Sequence, residues 1–458
     1  MSGPRVLVVG GGLAGVAAAS ALRAAGCATQ VLERETAPGG RARGEVRDGF
    51  RLDAAPFLVS PRERRLLGAI GAAGLGDQLL PLRPVTIAQI RGGRIEETPP
   101  AARPSEVARV GGVRLLEALR LPRLARLERR FSQLLDQEAP ERAERLDDRS
   151  TADFVRLYFG PSVLERWAEP MLASDLLAAA AETSRVSFLM QLRARGEAPP
   201  ATLRGSPGEV AAGLWTDRDR AGAEVLALAA DGGELEVALA HGASGLRADA
   251  VVLALPAAET LRLAERLLAP AERDLLASAR SAPAIVLTAA LARPLVRKAT
   301  RLRVPSAEAL PVATLSLEPG GPGAPAPEGA ALAALVATPS WSRAHLQAED
   351  GGVEKALLDA LERVFPGATR EVRFCRLRRS AAALPLFEVG RYRALARLRR
   401  VQADLRGRGR RLYFAGDHWV APTLEGAVAA GLRAAAELCA DFGLLLQPGE
   451  RHAGAAAL

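Results

Sequence analysis

The chain has 458 residues, 49% of them hydrophobic, which is enough for two or three domains with sizeable cores. Its formal charge of +9 comes almost entirely from arginines mixed with Glu and Asp along the whole chain, and without a nucleic-acid motif a nucleic-acid partner is not expected. Three widely spaced cysteines and the lack of an apolar run of membrane-spanning length predict a disulfide-free, cytoplasmic protein.

The first predicted element is a buried strand over residues 5–9, which runs into a G-x-G-x-x-G pattern at Gly10, Gly12 and Gly15. The first glycine permits a tight turn, the second lets the backbone approach a pyrophosphate, and the third lets the next helix pack on the strand. That helix is predicted over 14–25, with its positive dipole end towards the phosphates. The arrangement predicts dinucleotide binding.

A second strand is predicted over 29–34, after Gly26 ends the helix as its C-cap. Glu33 ends this strand. An acidic side chain there accepts hydrogen bonds from ribose hydroxyls and repels the 2′-phosphate of NADP. The strand therefore predicts an adenosine ribose without a 2′-phosphate.

The middle of the chain changes from helical to strand-like composition. Residues 105–200 are predicted to be helical, and residues 223–256 to form short strands. Further strands are predicted at 283–292 and 330–337, followed by a helix at 355–365. These elements predict a region inserted into the nucleotide-binding domain.

The last predicted strand, 411–415, leads into Gly416 and Asp417, and Thr423 is the predicted N-cap of a helix over 424–442. An aspartate delivered by a strand suits a polyol such as the ribitol of a flavin cofactor. The positive end of the helix would stabilise negative charge on a reduced flavin ring.

Four segments carry a resemblance to a known family: the Gly-Gly-Arg turn at 39–41, GFRLDAAP at 49–56, YFAGD at 413–417 and EGAVAAGLRAA at 425–435. Together they resemble the flavin-containing amine oxidase superfamily, in particular its protoporphyrinogen oxidase and phytoene-desaturase-like branches. The resemblance implies FAD, held non-covalently. The residues that the pattern and the resemblance place against FAD are Gly10, Gly12, Leu13, Ala14, Gly15, Glu33, Arg34, Gly40, Arg41, Ala55, Pro56, Phe57, Val225, Gly416, Asp417, Leu424, Glu425, Gly426 and Ala427.

Three positions in these segments carry further expectations. Gly426 and Gly431 are predicted to leave space where the flavin ring approaches. Ala55 departs from the pattern, since many members of the resembling family carry glycine there.

The implied fold is α/β: a Rossmann-like FAD-binding domain of the glutathione-reductase type, with a discontinuous substrate domain of mixed β-sheet and a helical subdomain. The helical subdomain is predicted at 96–204, the substrate-domain sheet with its helices at 261–404, and a disordered tail at 446–458. The FAD-binding domain is predicted to be split over three segments, 1–95, 205–260 and 405–445.

Segments 151–190 and 378–395 are similar to the branches whose substrates are large, apolar and conjugated. The predicted function is FAD-dependent dehydrogenation (desaturation) of a bulky hydrophobic small molecule, by hydride transfer to flavin N5, with oxygen or a quinone as electron acceptor. A flavin amine or amino-acid oxidase is an alternative, although Thr423 stands where amine oxidases of this superfamily carry an aromatic residue. A redox-neutral flavin-dependent isomerase is a second alternative.

The sequence identifies no catalytic residue outright. Trp419, Thr423 and His418 are the candidates near the flavin, and Lys298 is the better of the two lysines for a position beside the ring. Arg391 is predicted to be solvated rather than to hold an acidic group of the substrate.

Residues 110–131 mix arginine and leucine like an interfacial helix, and in the resembling family this subdomain is where membrane-bound members dock. The alternative is a solvated helix with its apolar face on the core, interrupted by Pro122. The sequence therefore leaves two alternatives, peripheral membrane contact and a freely cytoplasmic location.

Overall fold

The structure is a computed structural model that describes residues 3–76, 83–98, 104–195, 200–231, 233–240 and 245–445. The predicted tail, 446–458, lies outside the described residues. The strands, in chain order, are β1 (Arg5–Val9), β2 (Ala28–Leu32), β3 (Glu45–Arg47), β4 (Phe50–Leu52), β5 (Arg83–Pro84), β6 (Thr86–Arg91), β7 (Arg94–Glu97), β8 (Ala201–Thr202), β9 (Val225–Asp231), β10 (Glu234–Leu239), β11 (Leu246–Ala248), β12 (Ala250–Leu253), β13 (Ser281–Leu291), β14 (Thr300–Arg303), β15 (Val312–Pro319), β16 (Ala331–Ala337), β17 (Val372–Pro385) and β18 (Leu412–Phe414).

The described helices are Leu13–Ala24, Arg64–Ala72, Pro104–Val107, Leu115–Ala118, Pro122–Arg130, Thr151–Tyr158, Pro161–Val163, Glu169–Asp175, Arg185–Arg195, Pro207–Leu214, Ala257–Ala264, Pro270–Ala277, Pro339–His345, Asp350–Val364, Arg391–Gly407 and Leu424–Asp441. Among these described helices, none is both long and apolar enough to cross a membrane.

A four-stranded parallel sheet, in the order β18-β12-β1-β2, joins the two ends of the chain. Val8 on β1 pairs with Val252 on β12, and both are fully buried. Strands covered on both faces read as continuous apolar runs, which is why β1 was visible in the sequence. The sheet confirms a Rossmann-like α/β fold, and the antiparallel sheet β11-β10-β9 stands apart from it as its own three strands.

A seven-stranded mixed sheet, in the order β17-β13-β16-β15-β14-β6-β7, forms the second body of the fold. One face is apolar: Leu287, Leu315 and Leu335 pack with the helix Asp350–Val364 in a single core cluster. Strand β6 and the start of β7 lie in the segment 1–95 that is predicted for the FAD-binding domain. They join this sheet because β6 pairs with β14, far along the chain. The domain boundaries themselves stay a prediction.

The opposite face of the same sheet is polar. Cross-strand pairs share a face, and the register places Thr288 opposite Ala334, Ala334 opposite Ser316, and Ser316 opposite Arg301. This polar face and the loop that follows β4 border a cleft.

The region 104–195 is helical, as predicted, and packs in one large core cluster that also takes in residues of β1 and β12. The predicted interfacial segment forms two helices instead of one. Leu115–Ala118 ends before Pro122–Arg130, whose first residue is the interrupting proline.

Candidate functional site

The glycine turn between β1 and the helix Leu13–Ala24 has the geometry of a phosphate cradle. Gly10 has a φ of +109°, and a side chain at Gly15 would overlap the carbonyl of Gly10, so strand and helix pack closely. A Cβ at Gly12 would meet no atom within 4 Å. Open space therefore lies at the N-terminus of a helix that has no side-chain cap, where a pyrophosphate fits.

Glu33 holds the base of this cradle. Its Oε2 accepts a hydrogen bond from the Gly11 amide at 2.6 Å, and its Oε1 accepts one from the Glu35 amide at 2.9 Å. The Glu33 carbonyl accepts from Ala223 N at 2.7 Å, which brings the segment leading into Val225 and β9 beside it. Glu33 and the segment that leads to Val225, both predicted to contact FAD, thus lie next to one another. Arg34 is exposed and pairs with Glu35, so its contact with FAD stays a prediction.

Arg41 connects the first and last parts of the chain. Its Nη1 donates to the carbonyl of Ala383 and its Nη2 to Oδ1 of Asp417, each at 2.8 Å. The preceding Gly40 lies against Gly12, where a Cβ would stand 3.3 Å from the Gly12 Cα. Burial raises the pKa of Asp417, but Arg41 and His418 together outweigh burial and hold that pKa below its ordinary value.

The start of the C-terminal helix, Leu424–Asp441, is fixed by two side chains. Thr423 is its N-cap, as predicted, and accepts a hydrogen bond from Gly426 N at 2.9 Å. Both oxygens of Glu425 accept backbone amides, from Arg65 at 3.0 Å and Leu66 at 2.6 Å. Glu425 therefore ties this helix to the start of the helix Arg64–Ala72, and any contact of its carboxylate with FAD stays a prediction.

Two glycines of this helix make close backbone contacts, and the FAD contact of Gly426 stays a prediction. A side chain at Gly431 would overlap the Ala14 carbonyl, and one at Gly426 would overlap the Ala421 carbonyl. The expectation that Gly431 clears space for the ring is wrong: its missing side chain allows two helices to touch. Ala14 is part of that helix contact. Three further residues, Leu13, Leu424 and Ala427, pack in an adjacent core cluster. The FAD contacts predicted for these four residues stay predictions.

His418 and Trp419 are both 2% exposed, and their rings contact at a tilt of 42° with 4.8 Å between their centres. Neither His418 Nε2 nor Trp419 Nε1 has a hydrogen-bond partner among the described residues. Burial lowers the pKa of His418, so the ring is neutral. Arg391 donates to the carbonyls of His418 at 3.0 Å and Leu275 at 3.1 Å; the expectation that it is solvated is therefore wrong.

A cleft that is partly open to solvent lies between the loop after β4 and the polar face of the seven-stranded sheet. Ala55, Pro56 and Phe57, predicted to pass the flavin ring, form one wall of it. The full lining is Arg51, Asp53, Ala55, Pro56, Phe57, Arg83, Thr202, Leu203, Thr288, Ser316, Glu318, Pro325, Leu332 and Ala334. Seven of these 14 residues are apolar, apolar atoms supply most of the exposed surface of the cleft, and the four charged residues are held in pairs.

Sequence reasoning missed the charged members of this lining. Arg83 pairs with Glu318 at 2.6 Å, and burial raises the pKa of Asp53 to about 6. The only prior signal was Asp53, inside the GFRLDAAP run. Lys298, predicted to lie beside the ring, is instead exposed in the loop before β14, so that prediction is wrong.

The cysteines agree with non-covalent binding of the cofactor. Cys27 and Cys439 are buried, and burial raises the pKa of Cys27 to about 11. Cys375 is partly buried on β17 opposite Ala289, which belongs to the apolar face of the sheet. Its thiol therefore lies on the side away from the cleft.

Comparison with known proteins fits this geometry. The family model for flavin containing amine oxidoreductases matches residues 13–439. A 55-residue segment is 51% identical to the phytoene dehydrogenase of Streptomyces griseus, covering 12% of this chain and 11% of that protein. The chain thus matches only about a tenth of the length of this curated relative.

Two solved structures are similar over nearly the whole chain. Cyclohexylamine oxidase from Brevibacterium oxydans IH-35A has a TM-score of 0.72 at 19% identity, covering 96% of this chain and 100% of that chain. Putrescine oxidase with bound putrescine has a TM-score of 0.74 at 18% identity, covering 95% and 99%. At this identity the likeness shows the fold alone.

Proposed function

Because the chain belongs to the flavin-containing amine oxidoreductase family and is an FAD-dependent oxidoreductase, we propose that it dehydrogenates a bulky, largely hydrophobic small molecule. The observation that carries the proposal is the cleft, whose walls are apolar and which runs from the loop at Ala55–Phe57 onto the sheet. The local identity to a phytoene dehydrogenase supports the same reading.

The residues present fit FAD. The open space at Gly12 and the uncapped helix after it would hold the pyrophosphate, and Glu33 would accept the adenosine ribose hydroxyls. Asp417, kept ionised by Arg41, would accept hydroxyls of the ribitol. When bound, FAD supplies the acceptor for a hydride, while the substrate also loses a proton from the adjacent atom.

The protein's own part in the reaction is to orient the substrate and exclude water. Pro56, Phe57 and Leu203 supply apolar contacts, while Thr202 and Thr288 offer hydroxyls for orientation. We propose oxygen or a quinone as the final electron acceptor. An apolar wall suits a reaction whose product is stabilised by conjugation and needs little acid–base help.

Amine oxidation is the less supported alternative. Of the described residues that line the cleft, only Phe57 is aromatic, so the aromatic pair expected of an amine site does not form there. The position two residues before Glu425 is Thr423, which is engaged as a helix cap.

The test is anaerobic reduction of the purified yellow holoenzyme. A hydrophobic compound that the enzyme dehydrogenates should bleach the visible flavin band and yield a product lighter by two hydrogens. Bleaching by simple amines, followed by release of peroxide and ammonia once oxygen is readmitted, would instead indicate an amine oxidase. A product of unchanged mass, formed without bleaching, would indicate an isomerase; either outcome overturns the proposal.

We also propose that the helical subdomain contacts a membrane surface. Leu115, Leu116 and Leu119 are 76%, 76% and 68% exposed on adjacent turns, and Leu157 is 65% exposed nearby in the same subdomain. Exposed leucines among arginines are typical of a helix that enters the interface of an anionic bilayer. The arginine-rich helix Pro122–Arg130 follows directly.

A further inference from the structure

Two buried arginines and one partly buried arginine surround one aspartate at the polar face of the seven-stranded sheet. Arg301 and Arg303, on β14, are 3% and 6% exposed. The carboxylate of Asp175 accepts a hydrogen bond from Arg195. Arg301 Nη1 stands 3.8 Å from Asp175 Oδ1, and Arg303 Nη2 stands 3.7 Å from Asp175 Oδ2. These four residues are called the arginine cluster below.

The charges of the arginine cluster do not balance. Three guanidinium groups face one carboxylate, which leaves two positive charges without a partner in the cluster. Burial lowers the pKa of Arg303 to about 9, so it stays charged at neutral pH. Glu63, which lies near Asp175, does not compensate, because burial raises its pKa to about 8. A buried charge without a counter-charge is strongly unfavourable.

Several hydrogen-bond donors of the cluster are also unused. Among the described residues, Arg301 Nε and Nη2 and Arg303 Nε have no hydrogen-bond partner, and neither has the hydroxyl of the neighbouring Ser174. Each buried unsatisfied donor costs about 1–3 kcal/mol. A fork of guanidinium N–H groups matches the planar geometry of a carboxylate. The excess positive charge of the cluster and its unused N–H donors therefore both favour the binding of an anion.

The arginine cluster continues the floor of the cleft. Arg301 is paired with Ser316, and Ser316 with Ala334, so the three share one face; Ser316 and Ala334 line the cleft. Glu318, also in the lining, contributes to the electrostatic environment of Arg301 but is already bound to Arg83. A ligand in the cleft would thus have its far end one strand away from Arg301, and Arg303 lies two residues further along β14.

We propose that the arginine cluster binds a carboxylate of the substrate, so that the substrate is a bulky hydrophobic acid. This inference rests on the proposed function and narrows it: the apolar walls hold the body of the molecule, and Arg301 and Arg303 hold its acidic end. The uncompensated positive charge also repels ammonium groups, which excludes simple amines from the same position.

The experiment titrates the FAD-loaded enzyme with three probes of one shape: 4-phenylbutyrate, 4-phenylbutanol and 4-phenylbutylamine. Binding is followed by the shift of the visible flavin band. The acid is expected to bind about 10- to 100-fold more tightly than the alcohol, the range of a charge-assisted hydrogen bond. Arg301→Gln and Arg303→Gln should each remove most of that preference, and Arg303→Lys should keep part of it because the charge remains.

Arg94→Gln, at an exposed position on β7 of the same sheet, is the matched control and should leave the preference unchanged. FAD content of each variant reports whether it folds. Equal binding of acid and alcohol by the parent enzyme would overturn the anion site and leave the proposed function standing. Tightest binding of the amine would overturn both. A preference that survives in both glutamine variants would also contradict the assignment.

Discussion

Arg41 donates a hydrogen bond to Asp417 across 376 residues of sequence, and this contact closes the cofactor site from both ends of the chain. Arg41 lies in the turn that packs on the glycine cradle, and Asp417 follows the last strand of the parallel sheet. The pair therefore reports whether the two halves of the site have come together.

Arg41→Gln should make FAD release by acid begin at a higher pH. Asp417 has a folded pKa below its ordinary value of 3.8, so its stabilising charge is present above that value and is lost as the pH falls through the folded pKa. Without Arg41, burial raises the pKa of Asp417 and the loss occurs at higher pH. Flavin fluorescence during acid titration measures the midpoint, with the exposed Arg43→Gln as control; equal midpoints would contradict the prediction.

Glu33→Ala should weaken FAD binding by about 10- to 100-fold, because the variant loses a charged acceptor for the ribose and the brace on the Gly11 amide. Glu35→Ala, which removes a neighbouring exposed carboxylate, should have little effect. The dissociation constant can be measured by quenching of flavin fluorescence. Full FAD retention in the Glu33 variant would argue against the adenosine assignment.

Thr423→Ala should lower the free energy of unfolding by about 1 kcal/mol, the typical value for a lost N-cap. Thr423→Ser keeps an oxygen at the same place and should lose much less. Scanning calorimetry of the FAD-loaded proteins compares the two melting temperatures. If the alanine variant melts with the parent, the hydroxyl is not holding the helix start.

Gly431→Ala should destabilise the protein by about 1–3 kcal/mol, because an added methyl would overlap the Ala14 carbonyl of the facing helix. Gly352→Ala is the matched control: it lies in the helix Asp350–Val364, where a Cβ would meet nothing within 4 Å. That control should gain roughly 0.5–1 kcal/mol. Urea unfolding followed by circular dichroism separates the two; a neutral Gly431 variant would mean that the helices can move apart freely.

Replacing Leu115, Leu116 and Leu119 together by serine should weaken binding to anionic vesicles by tenfold or more, since burying one leucine contributes about 1.5–3 kcal/mol. Co-sedimentation with vesicles of phosphatidylglycerol and phosphatidylcholine provides the measurement. Leu226→Ser, at an exposed leucine on β9, is the control. No binding by the parent protein, or equal binding by the triple variant, would remove the membrane proposal.

The sequence was sufficient to predict those features whose geometry is determined by residues close together in the chain. Gly26 has a φ of +88° at the end of the first helix, and Thr423 caps the last one, both as predicted. The glycine turn and the short apolar strands of the parallel sheet were likewise readable, because turn geometry and burial on two faces leave local patterns.

Sequence was insufficient where a residue acts on a distant segment. Glu425 reads as part of a flavin motif, yet both its oxygens bind amides about 360 residues earlier. The run Thr300–Arg303 has arginine at alternate positions, which places both arginines on one face of a strand. No pattern in the neighbouring sequence indicates that this face is buried against Asp175. The arginine cluster could therefore be found only from the tertiary structure.

The order of strands β18-β12-β1-β2 has a consequence for synthesis on the ribosome. β1 and β2 emerge first and can pair, but β12 and then β18 follow only after the intervening regions. At about 5–20 residues per second, roughly 20–80 s separate the glycine cradle from Asp417. During that interval the nascent chain presents an uncovered sheet edge, so cofactor capture must be a late event, and the helical region has time to fold before the site closes.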